Sequence, residues 1–139
     1  MKEIKFFNKK LLVEVPDYYE YSLEDYGSLV LFHPENRTFT IKFIVIDSNG
    51  GKKEKEIYDN KNKNNFKIKL SENKYYNINN YEFKIEEKIL FVTSFEIIFK
   101  NYYINIRINT LEKIQEKSYD NLLEYINEII LTIKENIEE

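Results

Sequence analysis

Along most of the sequence apolar and polar residues alternate in short runs, the pattern of β-strands that bury one face. Glu3 to Phe7 and Leu11 to Val15 are two such runs separated by Asn8-Lys9-Lys10, which reads as a hairpin. Pro16 closes the second run because it has no N–H to give to a ladder. Ser28 to Phe32 and Thr38 to Ile46 flank the turn-rich stretch His33-Pro34-Glu35-Asn36-Arg37. Within the second of these, Phe39, Ile41, Phe43 and Val45 share one face, while Ile44 and Ile46 make the other face partly apolar. That predicts a central strand covered on both sides. Asp47-Ser48-Asn49-Gly50-Gly51 then breaks the run with strong turn chemistry. Alternation resumes at Phe66 to Leu70 and again between Tyr75 and Ile85. The clearest pair is Ile89 to Phe99 with Tyr102 to Asn109, joined at Lys100-Asn101 as a tight hairpin. In its second arm Ile104, Ile106 and Ile108 point one way, and Asn105, Arg107 and Asn109 the other.

Near the C-terminus the period changes. Leu122, Ile126, Ile129, Ile130, Ile133 and Ile137 recur at spacings of three and four, one stripe of a helix over 118–137. Ser118 is the expected N-cap, with Asp120 near the positive helix end. Strands in succession followed by a helix predict a single α+β domain over residues 1–139. Its expected form is a twisted, mainly antiparallel sheet of about six to eight strands with the C-terminal amphipathic helix packed on one face. The stretch 52–65 lacks apolar periodicity and reads as a flexible basic loop.

Composition narrows the chemistry. There is no Cys, so no disulfide, thiolate metal site or Cys nucleophile can be built, and a single His leaves no multi-histidine metal site. Three glycines, Gly27, Gly50 and Gly51, do not allow a dinucleotide fingerprint or a phosphate loop. No catalytic residue, cofactor or metal is expected on these grounds. The N-terminal run is interrupted by Glu3 and Lys9-Lys10, and no apolar stretch reaches the roughly 20 residues of a membrane span, so a cytoplasmic protein is the expectation. The net charge of −3 hides a polarised chain, basic over Lys52 to Lys74 and acidic from Glu112 onward. The basic region also holds four acids and many Asn, so nucleic acid binding is disfavoured.

Val13-Glu14-Val15-Pro16, an apolar strand ending in proline before an aromatic stretch, resembles the start of PsbP-like domains. The later order, a long strand pair ending at Ile104 to Ile108 and then a helix over Tyr119 to Ile137, is similar too. The chain departs from that pattern in lacking Trp after the proline, and in having Lys52 to Asn65 where the family carries a well-formed helix. The resemblance implies a sheet flanked by helices, usually without catalytic machinery, in a superfamily of photosystem-associated proteins, a Ran-release factor and bacterial adaptors.

One segment stands apart. Asp17, Tyr18, Tyr19, Glu20, Tyr21, Glu24, Asp25 and Tyr26 place four Tyr among four carboxylates with no basic residue between them. Tyr supplies large contact area with a polar tip, and clustered carboxylates steer cationic partners. These residues are the candidate protein-binding surface of a non-catalytic module, of immunity type or an adaptor, for a basic protein partner. On this reading Tyr19 and Glu20 are replaceable without unfolding. The alternative is a small-molecule binding protein or enzyme with a pocket between sheet and helix. His33 lacks a Ser or Cys at nucleophile spacing. Asp47-Ser48-Asn49-Gly50 fails as a calcium loop because Tyr58 stands where the bidentate Glu belongs. Asn36-Arg37-Thr38 is a formal sequon, and Arg107 an anion-binding candidate on a strand face.

Overall fold

A computed structural model of the chain describes residues 1–61, 68–71, 74–111 and 116–137. Strands β1 (Lys2–Phe6) and β2 (Leu11–Val15) form the expected hairpin, and β3 (Glu20–Leu23) follows after Pro16. β4 (Leu29–His33), β5 (Asn36–Asp47), helix α1 (Lys52–Asp59), β6 (Ile68–Ser71), β7 (Lys74–Ile85), β8 (Lys88–Phe99) and β9 (Tyr102–Thr110) come next. Helix α2 (Glu116–Thr132) and the two-residue strand β10 (Lys134–Glu135) end the described chain. The main sheet has seven antiparallel strands in the order β3-β4-β5-β9-β8-β7-β6. A second, three-stranded sheet, β1-β2-β10, brings the described total to ten, more than the six to eight expected.

The register of the central strands sorts side chains by face. Ile41, Phe43 and Val45 of β5 lie opposite Ile108, Ile106 and Ile104 of β9, which in turn oppose Thr93, Phe95 and Ile97 of β8. Leu29 and Leu31 of β4 extend the same wall. All of these apolar residues are buried. Ile126, Ile129, Ile130 and Ile133 cover the wall from α2 and the residue after it, beside Leu11, Val13 and Val15 of β2. Phe6 meets Phe43 edge-on at 5.6 Å between ring centres.

The opposite face is closed by polar packing. Asn105 donates to Ser94 Oγ at 2.7 Å and to the Phe95 carbonyl at 3.2 Å, and its own oxygen accepts from Arg107 Nε at 2.6 Å. Lys61, just past α1, reaches Glu96 at 3.3 Å and lies over the Tyr103 ring. Arg107 therefore orders a neighbouring amide on this sheet face.

Three expectations need correction. Lys52–Asp59 is a helix and not a loop. Its apolar content is low, and it is held by the Lys55–Asp59 pair one turn apart and by the Tyr58 hydroxyl, which donates to the Lys100 carbonyl. Residues 62–65 of that stretch, and 66–67 of the expected Phe66 to Leu70 strand, lie outside the described residues. The described C-terminal helix is Glu116–Thr132, so Ser118 lies inside it and not at the N-cap position, and it ends at Thr132 instead of continuing to 137. There the Thr132 hydroxyl accepts from the Glu14 N–H at 3.0 Å, and the chain turns to add β10 to β2, leaving Ile137 87% exposed. The turn expected over 33–37 narrows to Pro34-Glu35, because β5 already starts at Asn36.

The packing predicts sharply unequal costs within one apparent stripe. Ile129→Ala should lower the unfolding free energy by about 2–5 kcal/mol in a urea titration. Ile137→Ala should change it by no more than about 0.5 kcal/mol.

Candidate functional site

The Tyr-rich segment begins where Pro16 ends β2. The Tyr19 N–H closes a turn onto the Pro16 carbonyl at 3.2 Å, which sends the Tyr19 ring inward. Tyr19 is 3% exposed and belongs to the core cluster. Its ring lies 5.0 Å from Tyr18, 5.9 Å from His33 and 6.4 Å from Tyr125 of α2. Burial raises the Tyr19 pKa, and burial together with the neighbouring Tyr19 and Tyr18 phenols raises that of Tyr125, so both phenols stay neutral. The expectation that Tyr19 is a dispensable contact residue is thus corrected: core packing demands it.

From Glu20 the chain alternates along the sheet edge. Tyr21 and Leu23 lie opposite Leu31 and Leu29 on the side of the small sheet, and Glu20 and Ser22 lie on the other side. Because β3 is an edge strand, Tyr21 and Leu23 are half exposed. A 3₁₀ turn, Asp25–Gly27, reverses the chain, with Tyr26 at φ 63° and Gly27 at φ 77°. Gly27 is required here, since a Cβ would sit 2.9 Å from the Phe7 Cα, and its carbonyl accepts the Phe7 N–H. Tyr26 projects from this turn and is 93% exposed. Tyr18 is half exposed beside His33.

The carboxylates are partly matched by cations from elsewhere in the chain. Asp17 lies 3.4 Å from the Met1 amino group and Glu24 3.2 Å from Lys42. Lys2 sits over the Tyr21 ring and donates to the Tyr19 carbonyl. Among the described residues Glu20 and Asp25 make no ion pair, and both are exposed. The eight residues therefore divide into one core residue, Tyr19, and seven exposed ones along and beside β3, with Glu20 on the opposite side of the strand from Tyr21. Beside them, between β1 and β3, runs a cleft of about 600 Å³ lined by Lys5, Phe7, Lys9, Tyr21, Leu23 and Tyr26, among others. The polar pattern of the sequence marked the segment. It did not mark the cleft, because β1 and β3 are brought together only by tertiary packing.

Other places carry less. His33 Nδ1 accepts the Glu35 N–H at 3.2 Å in a local turn. Asp47 Oδ1 accepts from the Asn49 N–H and Asn101 Nδ2, both at 2.8 Å, in a bonded turn. No cluster of three or more His, Asp or Glu among the described residues fits a metal ion, and no described helix is long and apolar enough to cross a membrane. Between the main sheet and α2 the space is filled by the isoleucines named above. Beyond the end of β9 the β7–β8 hairpin extends as two strands with Phe83, Ile85 and Ile89 exposed.

A second cleft, about 470 Å³, lies at the end of α2 and contains Lys74, which the sequence did not single out. The last turn of α2 has no basic residue of its own. Lys74, reaching from β7, supplies one: its ammonium donates to the Leu131 carbonyl at 2.9 Å and lies over Phe99. Burial lowers its pKa from 10.5 to about 8.

No protein-family model matches the sequence. No curated protein matches it either. Solved structures do match. A crystal structure from Bacteroides thetaiotaomicron VPI-5482 superposes with a TM-score of 0.64 at 13% identity, over 99% of this chain and 49% of that one. This chain thus spans about half of that protein's length, and the likeness shows a shared fold. The solution structure of PsbP from Synechocystis sp. PCC 6803 is similar with a TM-score of 0.45 and 8% identity, over 97% of this chain and 92% of that one. The resemblance to PsbP is weak and at the level of the fold.

Tyr19→Ala should destabilise the fold by about 3 kcal/mol, the scale of an emptied aromatic site, whereas Tyr26→Ala should change stability by less than about 0.5 kcal/mol. Thermal or chemical unfolding of the two variants checks this. The lowered Lys74 pKa has a definite sign. Between about 8 and 10.5 the unfolded chain holds a proton that the folded chain has released, so stability should rise with pH across that window. Above 10 the buried tyrosines, with raised pKa values, act in the opposite direction. A series of urea midpoints against pH should show the rise, and Lys74→Met should flatten it.

Proposed function

We propose that this chain is a non-catalytic protein-binding module that engages a basic partner through the acidic, Tyr-rich surface of residues 17–26, as an immunity-type or adaptor protein does. The observation that carries the reading is the exposure of Tyr18, Tyr21 and Tyr26 along the β3 edge, with the exposed carboxylates of Glu20 and Asp25, unpaired among the described residues, on the same segment. Large aromatic side chains held out by an ordered turn lose little conformational freedom on binding, which is why they serve as anchors. Tyr26 is such a case, since its backbone is fixed by the adjacent Gly27–Phe7 contact. Carboxylates around them favour and orient a cationic partner. In the alternative, a pocket between sheet and helix, Ile126, Ile129, Ile130 and Ile133 fill the middle of that space, and the cleft beside Lys74 at the end of α2 is where a ligand would enter.

The test is affinity capture of basic proteins by the immobilised chain. Binding should weaken steeply between about 0.1 and 1 M salt, over which the screening length falls from about 10 to about 3 Å. The double variant Glu20→Lys, Asp25→Lys should lose about tenfold or more in affinity, with an unchanged thermal midpoint. Equal capture by this variant and the parent chain would end the proposal.

A further inference from the structure

The backbone of β3 carries information beyond its side chains. In an antiparallel ladder, opposed pairs alternate between those that exchange hydrogen bonds and those that do not. The Glu24 N–H donates to the Ser28 carbonyl at 2.8 Å, and these two residues continue the β3–β4 register. Ser22–Val30 and Glu20–Phe32 are therefore the bonded pairs, and the N–H and C=O groups of Tyr21 and Leu23 point away from β4, toward the open edge of the sheet. The next outward carbonyl in the series, that of Tyr19, is taken by the Lys2 ammonium, which marks the end of the free array. Beside this edge lies the cleft between β1 and β3.

From this we infer that the partner is bound by strand addition: an extended peptide segment pairs with Tyr21 and Leu23 of β3 and enters the cleft beside β1. This rests on the protein-binding reading above and specifies its mode. An open row of backbone donors and acceptors is complementary to an extended chain and to little else. The alternation of β3 then dictates the composition of the segment. Residues opposite Tyr21 and Leu23 face two half-exposed apolar side chains and the Phe7 wall of the cleft, so they are apolar. A residue opposite Glu20 faces a carboxylate with no ion pair among the described residues, so it is basic, and one opposite Glu24 joins a carboxylate that Lys42 already holds. The occupant is an alternating apolar and basic strand. A second copy of the chain is disfavoured by the same charges, because pairing β3 with its own image would bring Asp17, Glu20, Glu24 and Asp25 of two molecules together.

The probe is a capped synthetic peptide of alternating lysine and isoleucine residues, observed by amide hydrogen exchange of the full chain. At saturation the Tyr21 and Leu23 amides should exchange about tenfold more slowly, while those of Glu20 and Ser22, already bonded to β4, should not change. Leu23→Pro removes only an outward donor, a place where proline is tolerated in an edge strand. It should keep the unfolding midpoint of the parent chain and weaken peptide binding about tenfold. Should that variant fold poorly, the parent chain tested with a peptide N-methylated on its β3-facing nitrogens gives the same readout, and equal affinity for methylated and unmethylated peptides overturns strand addition. Slowed Tyr21 and Leu23 exchange that depends on protein concentration without peptide would assign the edge to a second copy and overturn it too. If Glu20→Lys abolishes peptide binding while Leu23→Pro and N-methylation do not, strand pairing falls and the acidic surface stands. If none of the three matters, both fall.

Discussion

The structure depends on keeping one face of the main sheet out of water. Leu29, Leu31, Ile41, Phe43, Val45, Ile104, Ile106, Phe95 and Ile97 make a continuous wall across four strands, and β-branched side chains stiffen it. An open sheet face of this kind must be covered, and the β1–β2 hairpin and α2, from opposite ends of the sequence, cover it together. Their meeting point is the bond between Thr132 and the Glu14 backbone, where helix and hairpin join edge to end. The other face joins a polar network of Asn105, Ser94, Arg107, Glu96 and Lys61 to the buried side chains of Val92, Ile98 and Tyr103. Tyr103 is buried there next to Glu96, and burial and that carboxylate raise its pKa.

This division leaves the β3 border of the sheet exposed. Isoleucines of α2 pack the covered face, and α1 with Lys61 occupies one end of the polar face. At the β3 border the strand is short, the turn after it is strained by Tyr26 at positive φ, and the acids are exposed. A positive φ at a non-glycine residue costs energy that neighbours must offset, and the Gly27–Phe7 contact does so.

Much of the fold was legible because its signals are local. The period of two in Ile104, Ile106 and Ile108 and the two-sided apolar character of Thr38 to Ile46 placed β9 and β5 correctly, and the spacing of Leu122 to Ile133 found α2. What escaped depends on contacts between distant residues. Helix α1 has little apolar periodicity and is fastened by Tyr58 to Lys100, 42 positions away. The stop at Thr132 is set by Glu14, 118 positions away, and nothing near Ile137 announces it. At the candidate site, the clustering of Tyr and carboxylates was visible, but which Tyr turns inward was not. Tyr19 differs from Tyr18 only in the direction imposed by the turn on Pro16, and its partners His33 and Tyr125 lie on other elements. Lys74 escaped because a lysine on a strand gives no sign that a helix end will lie above it.

The two-residue strand β10 has a consequence for how the protein is made. Asn136 bonds back to the carbonyls of Lys9 and Lys10, so the small sheet joins residues up to 127 positions apart. The β7–β8–β9 meander, by contrast, is built from neighbours and can form early and quickly. On a ribosome the meander therefore exists before its cover does, and the apolar wall stays wet until α2 and β10 have left the exit tunnel. Emergence of residues 116–135 then sets the moment at which a sticky intermediate becomes a closed domain.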